Sequence, residues 1–290
     1  MQRYLKVIFG TLLLLAGAAQ AQDQAIITID EALDDDVLRL EVRIEFSMGE
    51  IKIERGNPRK AITGFIEYNE EMIRPEFTYE VRGRTGIFRL ETKSRRGGLS
   101  FTRLHDFDGD NLPESELYFT TRVPIDIHFT CGLGSAELEL GDLQISDLRL
   151  ENGLGETILD FSTPNPVELR RLEVKNGLGE LTARNLSNAN TRRLRFDSGL
   201  GEATLDFGGE IRRDMEVTAN IGLGSMQFRI PRDYNVELDA EDNFLSTINT
   251  PGLVQIRRGL YRSNDYDASK PTIFIRASVG LGSIELVRID

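Results

Sequence analysis

Glu156, Glu180 and Glu202 each follow a Gly-Leu-Gly triplet. If those triplets stack, the three carboxylates line one edge about 5 Å apart, an arrangement that could hold cations in a row. A like-charge pair at that distance costs only about 1 kcal/mol in water, so fanning into solvent or accepting corner N–H groups is the favoured reading. Asp106, Asp108 and Asp110 surround Gly109 and alternate as carboxylates do in a calcium loop. Counting Asp106 as position 1, position 6 is Asn111 where glycine is needed, and position 12 is Leu117 where a bidentate Glu is needed. A solvated acidic loop fits better, and no metal site is assigned with assurance to either set.

The other reactive groups are sparse. The chain has two histidines, His105 and His128, neither accompanied by ligands at metal spacing. Its one cysteine, Cys131, can form no internal disulfide and reads as a packed thiol. There is no nucleophile elbow and no phosphate-binding glycine loop followed by a helix. Gly-Leu-Gly here meets a strand, so it is not a dinucleotide fingerprint. No cofactor and no catalytic residue are expected.

The elements that would position these groups follow from the repeat itself. Gly-Leu-Gly occurs at Gly132, Gly153, Gly177, Gly199, Gly222 and Gly280, with the first five copies 21 to 24 residues apart. A period in this range means stacked coils. Apolar residues fall three and five places before each triplet (Phe129 and Ile127, Leu150 and Leu148, Val174 and Leu172). Small or apolar residues fall two and four places after it (Ala136 and Leu138, Leu181 and Ala183, Met226 and Phe228). Period two on both sides of a fixed corner is strand, turn, strand. The predicted fold is an all-β, single-stranded β-solenoid of about 22 residues per coil.

The glycine pair allows a corner, and the intervening Leu133, Leu154, Leu178, Leu200, Leu223 and Leu281 are expected to point inward as a buried ladder. Each buried Leu would contribute roughly 1.5–3 kcal/mol. Outer charges alternate in sign from coil to coil, as Glu151, Lys175 and Asp197 do, which predicts that neighbours in sequence are neighbours in space. Two degenerate coils fit nearer the N-terminus: one at Ser47, Met48 and Gly49, and a looser one at Arg84, Thr85 and Gly86. Residues 22–36 read as a short acidic leader, and the stretch between Gly222 and Gly280 as irregular coils or a loop.

Residues 1–21 carry Arg3 and Lys6, an apolar run from Val7 to Ala18, and Ala19-Gln20-Ala21, the form of an export signal cleaved near Ala21. The apolar run is shorter than the ~20 residues of a spanning helix, and no later segment could span a membrane. Residues 22–116 would then form an irregular β domain, and residues 117–290 the regular array continuous with it, with no substantial helix. Cleavage removes two basic residues and takes the net charge from −12 to −14, which argues against nucleic acid and anionic membranes as partners.

The stretches Met48–Gly56, Gly64–Asn69, Arg74–Pro75, Phe77–Val81, Val123–Ile125, Gly153–Pro166, Gly177–Asn188 and Gly199–Gly208 together resemble, in order and spacing, the bacterial toast-rack domain family. This β-solenoid is also found beside membrane segments in cell-wall-stress response proteins, and adhesin-like Gly-x-Gly repeat proteins are a neighbouring analogy. The resemblance implies fold, envelope location and a sensing role, with no catalytic residues to carry over. The expectation is an exported, periplasmic or extracellular, non-enzymatic protein that binds an envelope protein or glycan. The alternatives are an envelope-stress regulator that binds a sensor protein and, less favoured, a β-helical polysaccharide-active enzyme.

Overall fold

Alternation of apolar residues makes almost every described segment a strand. The computed structural model describes residues 24–70, 73–94, 114–241 and 245–290. The export signal expected at 1–21, His105 and the Asp106, Asp108 and Asp110 set lie outside them. The fold is all-β, with eighteen strands in one continuous hydrogen-bonded sheet among the described residues. The only helical element among them is a 3-10 turn at Leu186–Ala189. None of their helices is long and apolar enough to cross a membrane.

The centre of the stack is regular. Strands β8 (Ile125–Leu133) and β9 (Ala136–Glu139) form one coil. Strands β10 (Ile145–Asp160), β11 (Leu172–Arg184), β12 (Arg193–Asp206) and β13 (Met215–Pro231) each run unbroken through a corner. They pair in parallel, so that Leu133, Leu154, Leu178, Leu200 and Leu223 face one another in succession. The flanking positions predicted inward are all buried, from Ile127 and Phe129 to Met226 and Phe228. At about 25 cal/mol per Å² of apolar surface, this continuous seam is what holds the stacked coils together. The outer rows pair as their charges require: Lys175 reaches Glu151 at 2.8 Å and Arg229 reaches Asp206 at 3.1 Å.

Each coil closes through a return limb that no periodicity announces. Phe161, Leu169, Leu186 and Phe207 plug the open side of the coils. Buried asparagines tie one limb to the next, standing in for the missing ladder. Asn165 donates to the carbonyls of Ile145 (2.7 Å) and Ala189 (3.1 Å) and accepts from the Ile145 N–H at 3.1 Å. Asn188 donates to the Phe161 carbonyl at 2.9 Å and accepts from the Glu210 N–H at 2.8 Å.

The two ends depart from the expected order. Strands β2 (Arg39–Met48) and β3 (Glu50–Arg55) form the predicted coil around Met48, which pairs with Leu133. The looser corner at Thr85 and Gly86 is instead the start of β6 (Thr85–Ser94), which makes a hairpin with β5 (Ile73–Arg82) around Gly83 at φ 63°. Phe88 and Leu90 are buried, and Val81 is exposed. The predicted acidic leader is largely strand: β1 (Gln24–Ala32) pairs antiparallel with β4 (Lys60–Asn69), which pairs with β7 (Glu114–Phe119).

Sequence order also breaks at the far end. Strand β18 (Thr272–Ile289), which carries the last Gly-Leu-Gly, stacks directly on β13, with Leu281 against Leu223. The intervening β14 (Asn235–Ala240) and β15 (Ser246–Asn249) pair on the other side of β18. A hairpin of β16 (Leu253–Arg257) and β17 (Leu260–Ser263) extends from β14.

Candidate functional site: the corner ridge

The corner is built on its two glycines. The second of each pair has φ between 133° and 140° in all six triplets, a region that disfavours any side chain. A Cβ on Gly179 would stand 2.0 Å from the carbonyl oxygen of Gly155 in the coil below, and one on Gly177 would stand 2.3 Å from that of Gly153. The corners therefore stack backbone on backbone.

The predicted burial of the intervening leucines is wrong. Leu154, Leu178, Leu200, Leu223 and Leu281 are in register, but each is 43–48% exposed, and Leu133 is half-buried. The reason is a change of parity through the bend. Before the corner the inward positions are the fifth, third and first before the triplet; after it they are the second and fourth beyond the second glycine. The first-before position, occupied by buried Cys131, Asn152, Asn176, Ile221 and Val279 and by half-buried Ser198, already fills the inside of the bend. The glycine conformation then turns Leu to the convex side. Alternation carried one step past those residues would put the Leu inward, so its outward position shows only in the structure, where the face switches before Leu is reached.

The result is an apolar ridge along the outside of the stack. Glu156, Glu180 and Glu202 stack in register on one flank, continuing into Ser225 and Ser283. All three glutamates are exposed, and among the described residues none of their carboxylates has a hydrogen bond or ion pair. No group of three or more His, Cys, Asp or Glu among these residues is placed to hold a metal ion. A shallow depression of about 330 Å³ lies on this edge, lined by Leu200, Leu223, Leu281, Glu202, Ser225 and the adjoining glycines.

The opposite flank of the ridge is neutralised. The hydrogen bond from Lys175 holds the Glu151 carboxyl below its ordinary range. Burial pushes Asp197 upward, but hydrogen bonds from Arg195 (2.7 Å) and Asn220 (2.8 Å) outweigh it and hold that carboxyl low. Asp147 is raised by burial, with Asp126 beside it adding to the effect. Arg171 and Arg149 flank Asp147 at 3.6 and 3.9 Å, and Arg39 and Arg170 flank Asp126 at 2.6 and 3.2 Å, so this carboxylate pair is enclosed by guanidinium groups.

His128 sits half-buried on the outer face, its Nδ1 3.5 Å from Arg43. Cys131 is buried inside a corner, and burial pushes its thiol up to about 12. Inside the same bend, Asn152 donates to Thr157 at 2.8 Å, whereas both side-chain polar atoms of Asn176 lack a partner.

A family model described as the N-terminal domain of toast_rack, DUF2154, matches residues 16–184. The chain belongs to the toast-rack family. Its match ends at the close of β11, so the ridge from Leu200 onward continues the toast-rack coil beyond the matched region. No curated protein matches the chain.

Solved structures similar to this toast-rack chain include a candidate cell adhesion protein from Clostridium sporogenes, at 18% identity and a TM-score of 0.48, over 92% of this chain and 99% of that one. A candidate adhesin from Bacteroides fragilis is 13% identical, with a TM-score of 0.34, over 90% of this chain and 97% of that one. A candidate lipid-binding protein from Parabacteroides distasonis is 11% identical, with a TM-score of 0.28, over 92% and 97% respectively.

Proposed function

We propose that the protein is an exported, non-enzymatic binding protein of the cell envelope that holds its partner along the corner ridge. The observation that carries this reading is the register of exposed leucines: five on consecutive coils form one apolar line on an outer face whose other rows are polar or charged. Ordered apolar lines of this kind on a soluble surface mark contact sites. Their glycine-stacked backbone is rigid, so a partner meets a preformed edge and little conformational entropy is lost on docking.

Export would follow cleavage near Ala21, and the partner class is an envelope protein or glycan. A catalytic reading lacks a matching arrangement among the described residues. On the flank of the ridge the carboxyls held low, Glu151 and Asp197, are paired with Lys175 and Arg195, and Glu156, Glu180 and Glu202 stand beside leucine and glycine.

The test is capture from an envelope extract by the mature chain, at low and high salt, with wild type and a Leu178→Ser/Leu200→Ser variant in parallel. The reading expects specific species to be lost with the variant. An identical captured set would overturn it.

A further inference from the structure

We infer that the ridge takes a cationic amphipathic α-helix lying parallel to the stacking axis. This deepens the reading above and rests on the ridge being the contact edge.

The first argument is spacing. Stacked coils place a leucine about every 4.8 Å. A helix returns the same face every 3.5 residues on average, or about 5.3 Å. Over the four steps from Leu154 to Leu281 the mismatch accumulates to only about 2 Å, and the run of about 19 Å matches roughly 13 helical residues. An extended strand returns the same face every ~6.8 Å and is out of step by the second coil. Helix side chains can therefore sit between successive leucines along the whole ridge, and strand side chains cannot.

The second argument is charge. On the flank with Glu151, Lys175 and Asp197 the carboxylates are neutralised, Glu151 by Lys175 of the next coil and Asp197 by Arg195 of its own strand. The other flank stacks Glu156, Glu180 and Glu202 with no cation among the described residues. Carboxylates bordering an apolar line select a ligand with aliphatic residues on one stripe and Lys or Arg along one side of it. Because only one flank is acidic, the ridge also fixes which side of the helix carries the bases.

The test uses the full chain and a fluorescein-labelled synthetic 14-residue amphipathic peptide of Leu and Lys. Its controls are a Glu-for-Lys counterpart and a scrambled peptide of the same composition, with binding read by anisotropy and helix formation by circular dichroism. The Leu/Lys peptide should bind with a gain of helix. Leu178→Ser/Leu200→Ser should weaken binding at least tenfold, Glu180→Gln/Glu202→Gln several-fold at low salt and little at high salt, and Glu151→Gln not at all. Urea unfolding of each variant confirms that it is folded.

No binding, equal binding of the scrambled peptide, or indifference to the glutamate substitutions overturns the helix. So does ridge-dependent pelleting with zwitterionic vesicles without peptide binding, which would make the ligand a lipid surface. A wild-type dimer that Leu178→Ser/Leu200→Ser converts to monomer would make it a second copy and likewise overturn the helix. If the peptide fails while envelope capture still depends on the leucines, the helix is wrong and the broader reading stands. Capture that ignores the leucines ends both.

Discussion

One corner distinguishes the two kinds of residue in the repeat, through Gly179→Ala and Leu178→Ala. At Gly179 the φ of 137° is glycine territory, and forcing a side chain into it costs about 1–3 kcal/mol. The new Cβ would lie 2.0 Å from the Gly155 oxygen, backbone that cannot swing aside. Reaching an ordinary contact requires the coils to part by about 1.4 Å, which stretches two neighbouring ladder bonds past bonding range at about 1 kcal/mol each. The sum is about 3–5 kcal/mol, a large part of the roughly 5–15 kcal/mol that holds a typical domain together. Leu178, by contrast, is 46% exposed, so truncation forfeits about half of a leucine's burial and opens no cavity, for about 1 kcal/mol. Equilibrium urea unfolding, followed by far-UV circular dichroism because the chain has no tryptophan, measures both. A Gly179→Ala loss no larger than that of Leu178→Ala would refute the stacked-backbone account. A Leu178→Ala loss of several kcal/mol would return the leucine to the core.

Asn176 is 2% exposed and unpaired at a position that holds Ile221 and Val279 in later coils. Asn176→Val should therefore raise stability by about 1 kcal/mol in the same urea assay, and a loss would mean that the amide is satisfied inside the bend. The Cys131 thiol is raised in the folded state from 9.0 to about 12. Its contribution to stability is thus intact below pH 9 and is lost as pH rises from 9 toward 12. Wild type should lose more stability over that window than Cys131→Ala, and parallel curves would show that the thiol ionises in place. Cys131 should also react with a thiol reagent only at the rate of unfolding, whereas rapid labelling of the native protein would contradict its burial.

Much of the architecture was legible because it is written in period two. Phe129, Leu150, Val174 and Phe196 occupy one inward row, and each pair of neighbours in that row is a registered pair in the sheet. What periodicity could not reveal was anything that depends on a change of parity or on distant pairing. The leucines were misplaced because the bend switches faces between Asn176 and Leu181, and an alternation rule carries no information about where the switch falls. The asparagine ties at Asn165 and Asn188 leave no periodic trace, since each satisfies a neighbour 20 to 27 residues away. At the edge itself, the glutamate row was identified from sequence, but its meaning changed once the residue beside it proved to be an exposed leucine.

The placement of β18 has a consequence for how the molecule is made. Its partner across the ladder, β13, precedes it by 58 residues, and β14 and β15 pair in parallel with β18 on its other side. The stack cannot grow by laying each new coil on the last. As the chain is synthesised, β13 keeps an open edge while β14 to β17 emerge, until β18 pairs with it. Losing β18 would leave β13 with an open edge and β14 and β15 without their parallel partner, so the far end of the stack depends on the last strand to be made.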